Sequence, residues 1–404
     1  MREVYADHAA TTPPAAEVVE AMLSYLEPAR FGNASSAHRR GEAARDAIEA
    51  ARERVAALIG ALPEEIVFTA SGSEANNLAL KGASLAASGD RRRLVFSAIE
   101  HPSVLETARH LQSRGVPVTI VPVDAGGVVD LDRLAGALGA DVALVAVMWV
   151  NNEVGTLQPV AEIASLAHAA GAVFLCDAVQ AVGKLPVSVA GAGADLLSLA
   201  GHKFHGPPGA AALCVRRRTR LVPLVHGGHQ ERSRRAGTEN LAALVGLGVA
   251  AERARARLAA DGPRRLAALG DRLRAGLVAA IPGTRLNGDP ARRLPSIVNL
   301  CFSGVDGEAV LHELDREGIT VSTGSACSAA APGPSHVLIA MGLRPEDAHA
   351  SVRFSLGEGS GDEDIDRILS VAPPVVERLR ALERGAAPAP RAGRGVDRII
   401  HTSA

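Results

Sequence analysis

Between residues 66 and 200 the chain alternates short, unbroken apolar runs with helical stretches, and few folds accommodate that pattern. The runs are IVFT, LVFS, PVTIV, DVALVAVMWV, AVFLC and LLSL, rich in Val and Leu and lacking the polar alternation of a strand wetted on one side. Strands of this kind are covered on both faces and the intervening helices supply the cover, so the expected class is α/β with a mostly parallel sheet. Only 2% of the residues are aromatic and 41 are glycine, so such a core must be Ala, Val and Leu packed closely through small residues. From about Asn240 the rhythm changes to two long helices and then to a smaller α+β pattern, with the boundary expected near residues 250 to 265.

Ligands of open α/β sheets bind outside the carboxyl ends of the strands. The polar residues that end these runs should therefore share one edge: Ser71, Gly72 and Ser73, then His101, Asn152, Asp177 and Lys203. In ASGSEANN the small residues sit in a strand-to-helix turn, where outward N–H groups and hydroxyls suit an anion such as phosphate; an ordinary capped helix start is the alternative. Asp177 follows VFLC, where a carboxylate is costly to desolvate without a positive partner, either a protonated pyridine nitrogen or a structural salt bridge. Lys203 lies in GHKFHGPPG, whose glycines and prolines hold a lysine clear of regular structure, in a chain with three lysines against 40 arginines. A Schiff-base lysine, an anion turn, a strand-end aspartate and a nearby histidine together point to pyridoxal phosphate (PLP) better than any one of them.

Cys176, Cys214 and Cys301 sit inside apolar runs and read as small core residues, whereas Cys327 lies in the loop STGSACSAAAPGPS and is the nucleophile candidate. Arg353, in SVRFSLG, could clamp a substrate carboxylate or simply be one of many surface arginines. A net charge of −1 gives no reason to expect a polyanion. No apolar stretch reaches transmembrane length and MREVYADHAATTPP lacks a hydrophobic signal region, so a cytoplasmic protein is expected. GLGVAA (246 to 251) imitates a dinucleotide fingerprint but falls in a helical run, and His226 and His229 lack metal-ligand spacing.

The ordered set YADHAATTP, GNASSAHRRG, FTASGSEANN, EHPSVL, VNNEVGTLQP, DAVQ, GHKFHGPPG, HGGHQE, RRAGTEN, TGSAC and VRFSLG resembles cysteine desulfurases of the NifS/IscS type, in the class V aminotransferase group. The resemblance implies PLP-dependent transferase fold type I, with a segment of residues 1–14 packing on the small domain, a cofactor-binding domain of 15–255, a small α+β domain of 256–383 and a tail of 384–404. It implies that Lys203 carries PLP, His101 stacks on the ring, Asp177 pairs with the pyridine nitrogen and Gln180 reaches the ring hydroxyl. Ser71, Gly72, Ser73 and His202 would hold the phosphate, with Thr238 arriving from the second subunit of a homodimer. Asn152 and Arg353 would bind the carboxylate of L-cysteine, and Cys327 would take its sulfur for an acceptor such as an iron–sulfur scaffold or a thiolation relay protein. Related activities that the resemblance leaves open are selenocysteine lyase, cysteine sulfinate desulfinase and aminotransferase. Ala200 stands where the family commonly has a serine, His229 where it commonly has a glycine, and residues 330 to 333 (AAPG) are unusually rich in Pro and Gly.

Overall fold

The computed structural model describes residues 3–87, 89–323 and 333–386. The chain opens with strand β1 (Val4–Tyr5) and helices α1 (Ala16–Leu26) and α2 (Arg39–Ile59). Helix α2 is capped by the His38 ring, which accepts from Gly41 N at 3.2 Å. Next come β2 (Ile66–Thr69), α3 (Gly72–Ala86), β3 (Arg93–Ser97), α4 (Pro102–Ser113), β4 (Val118–Val121) and α5 (Leu131–Ala137). The run continues through β5 (Val142–Met148), α6 (Val160–Ala169), β6 (Val173–Asp177), α7 (Val189–Ala192), β7 (Leu196–Ala200) and β8 (Ala211–Val215).

These strands form one sheet in the order β2-β8-β7-β6-β5-β3-β4. All neighbours pair in parallel except β8, which runs antiparallel to both β2 and β7. The direction of β8 follows from its short connection. The Gly- and Pro-rich loop after Ala200 returns to pair Ala200 with Ala211, far too tight for a helical crossover. Every residue of β5 is buried, as a strand covered on both faces requires. The pleat sends alternate residues into two cores: Leu94 and Phe96 of β3 pack with α3 and α4, while Val95 packs with residues of α2 and α6.

Helix α8 (Leu241–Ala259) contains the GLGVAA stretch and packs along α1 and α2. The crossing is close: a Cβ on Gly248 would lie 2.7 Å from Ala51 Cα. Small residues thus replace aromatic bulk, as composition requires. The chain then forms α9 (Gly262–Ala280), β9 (Thr284–Asn287), β10 (Ile297–Phe302), α10 (Gly307–Arg316), β11 (Ile319–Thr320), α11 (His336–Ala340), α12 (Pro345–His349), β12 (Ser351–Ser355) and α13 (Asp362–Ala386). Strands β12, β10 and β9 make an antiparallel sheet whose apolar face, with Phe302 and Phe354, packs against Leu273, Leu277 and Ile368. Helix α13 runs through Ala386, past the expected start of the tail at 384; residues 387–404 lie outside the described residues.

Residues 4 to 15 connect these two bodies. β1 pairs in parallel with β11, and Asp7 bridges to Ser355. Farther along, Thr12 N and Ala15 N donate to the carbonyls of His202 and His205, in the loop that follows β7. Among the described residues no helix is long and apolar enough to cross a membrane.

Candidate active site

The strand-end residues meet at a cavity of about 290 Å3 at the carboxyl edge of the sheet. Ser71, Gly72, Ser73, His101, Asn152 and Asp177 all line it, and so do Gln180, His202, Lys203 and Arg353. Thr238 is exposed and does not line the cavity of its own chain. Cys327 lies outside the described residues.

Lys203 ends a short helical turn that follows β7 directly, and its amine reaches the N-terminal segment. Nζ donates to the carbonyls of Ala9 at 2.8 Å and Ala10 at 2.6 Å. Asp177 closes β6 and is buried, with only 6% of its surface exposed. Its Oδ2 accepts from Asn76 Nδ2 at 2.8 Å and its Oδ1 from Val179 N at 3.0 Å. The cation expected beside Asp177 is not among these hydrogen-bond partners: both donors are neutral. A carboxylate so placed still favours a positive group on its cavity side.

Asn76 also joins Asp177 to His101. Its Nδ2 donates to Ser103 Oγ at 3.0 Å, and Ser103 Oγ lies 2.8 Å from His101 Nδ1. Ser103 N, which can only donate, reaches the same Nδ1 at 3.1 Å. That backbone bond makes Nδ1 the bare nitrogen, and the neutral ring therefore carries its proton on Nε2. Burial lowers the His101 pKa; the nearby Asp177 carboxylate opposes that shift and the Lys203 amine adds to it. His202 is pushed down to about 4 by burial and by the like charges of Lys203 and Lys184, and its Nδ1 lies 3.1 Å from Thr11 Oγ1.

Helix α3 brings its N-terminus to the cavity. Ser71 caps it by accepting from Glu74 N at 3.1 Å, and a Cβ on Gly72 would lie 3.0 Å from Val179 Cγ2 and 3.6 Å from Ala200 Cβ. Gly72 therefore lets the turn lie against the wall formed by Val179 and Ala200, and the first turn of α3 meets the cavity with N–H groups that no carbonyl within the helix can take.

On the opposite wall Arg353 is buried on β12. Nη2 donates to Asp7 Oδ1 at 2.7 Å, Nη1 to the carbonyl of Asn152 at 2.9 Å, and the buried Nε has no partner among the described residues. Each terminal nitrogen keeps a second N–H, so the guanidinium can still engage a carboxylate while Asp7 balances its charge. Gln180 accepts at Oε1 from the Lys184 amine and donates from Nε2 to the Ala9 carbonyl at 2.8 Å.

Two buried acids lie behind the cavity. Burial pushes Glu100 up to about 8; its Oε1 accepts from Ser97 Oγ and from Met148 N at 2.9 Å. Burial likewise pushes Glu153 up to about 7, and its carboxyl accepts from the Ser335 hydroxyl that caps α11. His336 Nε2 lies 3.0 Å from the Glu100 carbonyl, so the first turn of α11 is fastened beside His101. Cys176, Cys214 and Cys301 are buried, and burial raises the pKa of each thiol, with Cys214 pushed up to about 12. None of the three has the character of a nucleophile. Among the described residues no cluster of His, Cys, Asp and Glu could hold a metal.

Sequence reasoning did not find Asn76, Ser103, Asp7 or Lys184. Asn76 carried a usable signal, since it lies one helical turn beyond Ser73 and so shares its face of α3.

A family model for class-V aminotransferases matches residues 4–368. The chain belongs to the class-V aminotransferase family. Within this family it is 45% identical over 381 residues to a cysteine desulfurase IscS of Dictyoglomus turgidum, covering 94% of this chain and 96% of the relative. It is also 45% identical over 381 residues to the cysteine desulfurase NifS of Azotobacter vinelandii, covering 94% of each chain. The solved structure of a NifS-like protein superposes with a TM-score of 0.88 at 34% identity, covering 94% of this chain and 100% of the other. The expected fold type I architecture, a mostly parallel sheet with a smaller α+β body, is the one found.

Proposed function

We propose that this class-V aminotransferase family member is a PLP-dependent cysteine desulfurase, converting L-cysteine to L-alanine and transferring the sulfur to Cys327. Its similarity to cysteine desulfurases of the IscS and NifS type supports the reaction. The observation that carries the site assignment is a buried carboxylate with neutral donors, Asp177, facing the same cavity as Lys203.

The residues fit the cofactor. Asp177 would take a protonated pyridine nitrogen, for which its neutral partners leave the charge uncompensated. The α3 N-terminus, with Ser71, Gly72 and Ser73 and with His202 nearby, would take the phosphate, completed by Thr238 of the partner subunit in a homodimer. Lys203 would hold the cofactor covalently, with His101 stacked on it and Gln180 at the ring oxygen. Bound there, PLP supplies an electron sink for charge developing on the substrate α-carbon.

The protein's own groups account for the rest. Arg353, steadied by Asp7, and Asn152 bind the substrate carboxylate and so orient the α-carbon. Lys203 Nζ, at the same cavity, would take the α-proton. The Cys327 thiolate attacks the substrate sulfur: an S–S bond forms, the C–S bond breaks and its electron pair stays with the carbon. Protonation of that carbon and return of the α-proton from Lys203 give alanine, and a persulfide stays on Cys327 for a sulfur-acceptor protein. In this reading residues 15–255 bind the cofactor, residues 256–383 carry the Cys327 loop, and the protein works in the cytoplasm.

The test is sulfide and alanine release from L-cysteine with a thiol reductant, comparing the PLP-loaded protein with Cys327→Ala. Loss of release in the variant is expected; undiminished release would remove Cys327 from the reaction.

A further inference from the structure

Lys184 is a half-buried cation beside the cavity that the reaction above leaves without a role. It lies four residues after Gln180 in a run of turns. Lys203, Arg353 and Arg257 bear on it with like charge, and it bears in turn on His8 and His202. Burial and these cations hold its pKa well below the usual lysine value. A chain does not bury an amine among cations without some return, and the contact it makes is with the Gln180 amide oxygen.

We propose that Lys184 is a positioning residue that acts on the cofactor through Gln180, fixing which end of that amide faces the cavity. The Ala9 carbonyl can only accept and so takes Gln180 Nε2, and the Lys184 amine, which can donate in either protonation state, holds Oε1 on the other side of the amide. Gln180 Nε2 is then the cavity end: one of its protons goes to the Ala9 carbonyl, and the second is left for a ring oxygen of the cofactor. Donation to Oε1 also polarises the amide and strengthens what Nε2 donates. The Ala9 carbonyl receives the Lys203 amine as well, at 2.8 Å, so this amide is coupled to the lysine that would carry the cofactor. Lys184 does not line the cavity itself, and its influence on the cofactor runs through its neighbour.

The inference rests on the PLP reading, and a double-mutant cycle separates the two. The affinity of apo protein for pyridoxal 5′-phosphate is measured by visible absorbance for wild type, Lys184→Met, Gln180→Ala and the double variant. Lys184→Met is expected to weaken binding about tenfold in the wild-type background, to shift the visible band, and to change binding less than about twofold in the Gln180→Ala background. Lys184→Gln, which keeps a donor, should retain most of the affinity; Lys184→Leu replaces Lys184→Met in the same cycle if the latter does not fold. Equal losses in both backgrounds, or no loss in either, would overturn the assignment of Lys184. Failure of the wild-type protein to bind the cofactor would instead overturn the functional reading.

Discussion

At the scale of single residues, the site combines groups whose charges are set by what surrounds them. Glu100 is enclosed directly behind His101, and burial raises its pKa from 4.5 to about 8, so it is protonated at neutral pH. An unfolded chain gives up that proton near 4.5 and the folded one only near 8. The folded state therefore loses stability as pH rises through this window and is unaffected by Glu100 below it. Glu100→Gln keeps an acceptor for Ser97 and Met148 without the ionisation, so its melting temperature should fall less than that of wild type between pH 5 and 8. Parallel slopes for the two proteins would show that Glu100 is ionised in the fold. Lys203, Asp177 and His101 could be picked from the sequence because each follows an apolar run, and such positions converge at a sheet edge. Asn76, Ser103 and Asp7 could not. Asn76 meets Asp177 across 101 positions and Asp7 meets Arg353 across 346, and no local pattern announces a pairing at that separation.

At the scale of elements, the fold depends on close crossings through small residues in place of large side chains. Gly248 on α8 lies against Ala51 on α2, where a Cβ would meet the facing Cα at 2.7 Å. Gly248→Ala is therefore expected to destabilise the protein by about 1–3 kcal/mol, despite the better helix propensity of alanine. Gly136 on α5 has nothing within 4 Å, and Gly136→Ala should stabilise by about 0.5–1 kcal/mol. Chemical denaturation of both variants checks the pair, and a stabilised Gly248→Ala would refute the crossing. Strand positions were readable because a fully buried strand is a continuous apolar run. Direction was not: AALCV is a buried apolar run like those of the parallel strands, and what reverses β8 is the brevity of its connection.

For the whole molecule, the segment from Val4 to Ala15 binds the two bodies into one site. It pairs β1 with β11, sets Asp7 against Arg353, and offers the Ala9 carbonyl to both Gln180 and Lys203. Removing residues 1–10 should leave the large sheet folded, as judged by circular dichroism, and abolish retention of PLP through gel filtration. A truncated protein that keeps the cofactor would show the segment to be dispensable. The opening YADHAATTP had no periodicity from which this bridging role could be inferred; family resemblance placed it near the small domain, and only the fold ties it to Lys203.

The central claim is that the amine of Lys203 and the thiol of Cys327 handle one molecule of L-cysteine in succession. It is tested most directly by alanine formed in a single turnover without reductant, comparing PLP-loaded wild type with Lys203→Ala. About one alanine per protomer from wild type and none from the variant is the predicted result; equal alanine from both would contradict it.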